Sequence, residues 1–108
     1  MASIAFTFIN SREGMQAVSF NIEDKDFGRI YSAYKAHYMV SDQKDLDRDN
    51  PNDDKHDYER VLEGDYNMKS VFGRLASELM YSIIGMTNKM EVNEAMKGLN
   101  IQYIQIKD

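Results

Sequence analysis

Asp45, Asp47 and Asp49 stand at alternate positions, and a D-x-D-x-D run can place carboxylates around a hard cation such as calcium. The remainder of a calcium loop is missing. Its sixth position is Asn50, where the sharp turn needs Gly. Its twelfth is His56, where a bidentate Glu is needed, and Pro51 stands where a backbone carbonyl ligand is expected. Weak divalent binding is a better expectation than a dedicated site.

The only two histidines offer other chemistry. His56 lies in Asp53-Asp54-Lys55-His56-Asp57, where carboxylates favour its protonated form. Such a cluster could hold zinc or supply a base, which keeps a divalent-metal-dependent enzyme as an alternative. An exposed His at the start of a charged helix is the simpler reading. His37 falls between Tyr34 and Tyr38 on an apolar stripe and reads as packed at the core edge.

No nucleophile stands out. Cys is absent, which excludes a thiolate, a disulfide framework and Cys-based metal sites. G-x-S-x-G, P-loop, G-x-G-x-x-G and H-E-x-x-H motifs are all missing. Acid–base catalysis needs carboxyls in separate environments within a dry cleft, and the carboxylates here lie in a solvated run. The expectation is a protein that is not an enzyme, with no catalytic residues, no resident metal and no cofactor.

The chain's net charge of −5 is concentrated in one segment. Residues 42–65 carry ten acids against four bases, while residues 1–41 are neutral and residues 66–108 carry +1. A localised negative field attracts basic proteins and repels nucleic acid and anionic membranes. The thirteen bases form no stripe, so direct nucleic-acid binding is disfavoured.

Asp42, Asp45, Asp47, Asp49, Asp53, Asp54, Asp57, Glu59 and Glu63 are therefore the expected partner-binding residues. Their expected partner is a basic protein surface, such as the nucleic-acid groove of another protein or complex. In size and charge the chain is comparable to small acidic phage anti-restriction and anti-CRISPR inhibitors and to nuclease immunity proteins, which work as nucleic-acid mimics. The alternative is a small homodimeric structural or regulatory protein. Met80, Met86, Met90 and Met96 gather on the last helices, and Met is favoured at surfaces that mould to a partner.

These residues need a scaffold. A chain of 108 residues, 43% hydrophobic and 29% charged, has the composition of one globular domain, residues 1–108, with an acidic segment at about 41–65. Its first ten residues lack the basic start of a secretory signal, and its longest uncharged helical stretch is too short to span a bilayer. A cytoplasmic location is expected. Ser3 to Ile9 and Met15 to Ile22 alternate with period two and suggest a hairpin closed by Asn10–Gly14. From Asp24 or Asp26, Phe27, Ile30, Tyr31, Tyr34, His37 and Tyr38 repeat at three and four, predicting a helix to about Val40. A polar loop to Asp54 follows, then a short helix to Glu63 stopped by Gly64. A longer helix capped by Asp65 or Asn67 runs to Gly85, with Gly73 read as a close-packing position. A last helix covers Asn88–Lys97, and a third strand covers Leu99–Lys107. The predicted fold class is α+β, in the order β-β-α-α-α-α-β. It is a three-stranded antiparallel sheet, with the C-terminal strand beside the first and about four helices on one face.

Overall fold

Alternating apolar residues pair across a tight turn to make the first element. In this computed structural model, which describes residues 1–51, 60–95 and 104–107, β1 spans Ala2–Asn10 and β2 spans Gly14–Ile22. They form a two-stranded antiparallel sheet in which Ile4 faces Phe20, Phe6 faces Val18 and Phe8 faces Gln16. Asn10 Oδ1 closes the turn, accepting from the backbone N–H of Arg12 at 2.8 Å and of Glu13 at 3.1 Å. Gly14 leaves the turn at φ +85°, a conformation that costs a side-chain-bearing residue about 1–2 kcal/mol.

α1 spans Asp24–Asp49. Its cap position is Glu23, with Asp24 and Asp26 inside the first turn, where their charge favours the helix dipole. The helix runs nine residues past the expected end at Val40. Hydrophobic periodicity stops there, but Gln43, Lys44, Leu46 and Arg48 are good helix formers, and same-face pairs support the polar end. Asn50 ends it, because a residue before proline is pushed out of the helical region.

A single 3-10 turn, Glu63–Asp65, precedes α2, which spans Met68–Ala95. Asn67 caps α2 as expected, its Oδ1 accepting from Ser70 N–H at 2.9 Å. Gly85 and Asn88 lie within the helix and do not divide it in two. One interior Gly costs about 1 kcal/mol, too little to break a long helix. Asn88 does not start a new helix; its Oδ1 accepts from Ile104 N–H at 3.0 Å.

The expected three-stranded sheet with four helices is therefore corrected: the described residues give β-β-α-α, with two strands and two long helices. Residues 104–107 are not in a strand, and residues 99–103 of the expected third strand lie outside the described residues. Most of the expected 54–63 helix does too. Its described end, Arg60–Leu62, is not helical, and Gly64 sits inside the 3-10 turn.

The chain divides into two compact units, Met1–Val71 and Phe72–Asp108. In the first, β1 meets α1, and the Met1 ammonium lies 3.4 Å from Asp24. Tyr38 and Val71 are its fully buried side chains. In the second, the buried hydrophobic residue is Ile84. Among the described residues, no helix is long and apolar enough to cross a membrane.

Candidate interaction surfaces

The acidic segment is helical where the sequence suggested a loop, and this redistributes its carboxylates. At 100° per residue, Asp42, Asp45 and Asp49 share one stripe of α1, while Asp47 lies roughly half a turn around the axis. The alternate spacing that suggested a cation site therefore sends neighbouring carboxylates to opposite faces. Among the described residues, no group of three or more His, Asp or Glu is placed to hold a metal.

Several of these acids are engaged within the chain. Tyr66 Oη donates to Asp42 Oδ2 at 2.6 Å, and Tyr31 Oη donates to the Tyr66 carbonyl at 2.7 Å. Gln43 reaches both ways: its Nε2 donates to Asp47 Oδ1 at 3.0 Å, and its Oε1 accepts from Val61 N–H at 3.2 Å. Lys35 Nζ sits 2.9 Å from Glu63 Oε1. That hydrogen bond and charge hold the Glu63 carboxyl below its usual range and raise the Lys35 ammonium above its own. Residues 61–66 are thus latched along α1, and Asp42 and Glu63 belong to the latch.

Asp45, Asp47 and Asp49 remain exposed on the last two turns. Arg48 lies between two of them, 3.3 Å from Asp45 and 3.6 Å from Asp49. Asp53, Asp54, Asp57, Glu59 and His56 lie outside the described residues. His37 is exposed, its ring 5.6 Å from that of Tyr38, and not packed at a core edge as its position on the stripe suggested.

Sequence reasoning missed Lys35, Gln43 and Tyr66 as the latch partners. One signal was present: Tyr31, Lys35, Tyr38 and Asp42 repeat at four, three and four along one helix face.

Two apolar surfaces accompany the acids. On α2, Leu79, Ile83, Met86 and Met90 repeat at four, three and four, and all are exposed. Met80 is also exposed, and Met96 is outside the described residues. The other surface is the hairpin. No family model, no curated protein and no solved structure matches this chain.

Proposed function

We propose that the protein is a non-catalytic, cytoplasmic binding protein that docks the carboxylate-bearing end of α1 on a basic surface of another protein. Where that surface normally holds nucleic acid, docking inhibits it. The observation that carries this reading is the position of Asp45, Asp47 and Asp49 at a helix C-terminus. The helix dipole is negative there, so an exposed carboxylate in the last turn, such as Asp47 or Asp49, costs about 0.3–1 kcal/mol. They stand against the helix's own stability and reinforce its negative end as a field for a cationic partner. The Arg48 pairs oppose this only weakly, since solvent-exposed ion pairs contribute about 0–1 kcal/mol and exchange readily. The same field disfavours nucleic acid and anionic membranes as direct partners.

Affinity capture from the native host at low and high salt tests the reading, using wild type beside a D45K/D47K/D49K variant. The expected result is a basic partner held by wild type at low salt, released at high salt, and not held by the folded variant. A partner retained equally by the variant overturns it.

A second reading, a self-associating structural or regulatory protein, is favoured by the stripe of Leu79, Ile83, Met86 and Met90. Four-three-four spacing is that of a helix-pairing seam. In that reading, replacing Ile83 with Lys abolishes association and leaves the acidic variant's behaviour unchanged.

A further inference from the structure

We propose that residues 61–66 are a strap that keeps the polar end of α1 helical, and that the strap and the last turns of α1 open together while the rest of the helix stays folded. The device regulates the acidic helix end. Its consequence for docking rests on the function proposed above, whereas the opening itself needs no partner.

The two halves of α1 differ in what supports them. Up to Val40 the helix carries its apolar stripe, and Tyr38 on that stripe is 1% exposed. Across residues 44–49, Leu46 is half-buried and the other five are exposed. Local preference there is divided. Lys44, Leu46 and Arg48 favour a helix, and Asn50 Nδ2 donates to the Leu46 carbonyl at 2.8 Å. Asp45, Asp47 and Asp49 are weaker helix formers, and Asp47 and Asp49 stand at the negative end of the dipole. A helical stretch this short is marginal in water without tertiary contacts.

The strap supplies such contacts on both sides of the junction. Upstream, Tyr31 Oη donates to the Tyr66 carbonyl, and Lys35 Nζ donates to Glu63 Oε1. Downstream, Tyr66 Oη donates to Asp42 Oδ2, and Val61 N–H donates to Gln43 Oε1. The tied positions, Tyr31 to Gln43, cover about 18 Å of helix axis. Gln43 carries the restraint one turn further, because its Nε2 donates to Asp47 Oδ1 at 3.0 Å. The strap itself is shallow: Val61 and Tyr66 are half-buried, while Leu62, Glu63, Gly64 and Asp65 are exposed. A segment held by polar contacts with little apolar burial opens at a lower free energy than the whole domain. Closed, the strap fixes Asp45 and Asp49 on one side of a helix and Asp47 on the other. Open, it returns them to a chain without fixed faces, so closure sets the pattern of charge shown to a cationic partner.

Backbone amide hydrogen exchange on the full chain, read by NMR, tests this. In wild type, the amides of residues 44–49 and of Val61 are expected to exchange through one shared opening, at least about tenfold faster than those of residues 30–38. A Val61→Pro/Tyr66→Phe variant removes two strap donors. It should speed exchange at 44–49 at least about tenfold and leave 30–38 within about threefold. Leu62→Ser, at an exposed strap position, should change neither group. Unchanged exchange at 44–49 in the double variant overturns the proposal, and so does equal acceleration of 30–38, which would make the strap a support of the whole helix. If the double variant fails to fold, wild type decides: across a urea series, the amides of 44–49 and Val61 must show the same opening free energy and the same urea dependence. Separate openings overturn the device. That outcome is distinct from failure of the docking reading, which the salt-dependent capture tests on its own.

Discussion

The Tyr66 hydroxyl donates a 2.6 Å hydrogen bond to Asp42 Oδ2, joining residues 24 positions apart. Asp42 is the half-buried member of an otherwise exposed acidic stripe, and the phenol accounts for part of its placement. Hydrogen bonds to charged groups contribute about 1.5–3 kcal/mol, more than neutral ones. Tyr66→Phe should therefore lower the unfolding free energy by about 1.5 kcal/mol or more in a urea titration. In a cycle with Asp42→Ala, the two losses should be clearly less than additive. Additive losses would show that the pair does not act as a unit.

The three exposed carboxylates behave differently. Changing Asp45, Asp47 and Asp49 together to Lys should keep the protein folded with no loss of stability, because lysines suit a helix C-terminus and this offsets the exposed Arg48 and Gln43 contacts that are removed. Thermal denaturation checks this. Loss of the cooperative transition would make these residues structural and remove the basis for a docking surface.

The Lys35–Glu63 latch gives a pH dependence with a definite sign. Glu63 titrates below its ordinary 4.5, so its contribution is present above that value and is lost as pH falls through the lowered value. Lys35 titrates above its ordinary 10.5, so its contribution is present below that value and is lost as pH rises through the raised one. The difference in melting temperature between wild type and Glu63→Gln should be constant between these limits and shrink beyond each. A difference that persists at strongly acidic pH would rule the pair out as its source.

Two glycines should respond in opposite directions. Gly14 has φ +85° in the hairpin turn, so Gly14→Ala should destabilise by about 1–2 kcal/mol. Gly73 lies within α2, and among the described residues a methyl group there meets nothing within 4 Å, against the close packing its position suggested. Gly73→Ala should stabilise by up to about 1 kcal/mol. Chemical denaturation of both variants measures the contrast.

Asp45, Asp47 and Asp49 show how far the candidate site could be read in advance. Their exposure follows from a run with few apolar residues. Their geometry does not, because a loop and a helix made of the same residues aim alternate side chains differently. The helix continues past Val40 on propensity and local pairing, which hydrophobic periodicity does not report. Glu63 looked like one more surface acid and is a latch residue, because its partner Lys35 lies 28 positions away.

Local sequence alone determined the hairpin with its Asn10–Gly14 turn, the start of α1, the Asn67 cap and the concentration of negative charge between 42 and 65. Alternation, turn chemistry and capping act over a few residues and can be read directly. Tertiary structure decided that Asp42 bonds Tyr66, that Lys35 pairs with Glu63, and that Asn88 serves Ile104 and does not start a helix. Each outcome depends on which distant group arrives to satisfy a polar atom or cover an apolar one. That competition is settled only when the chain has closed on itself.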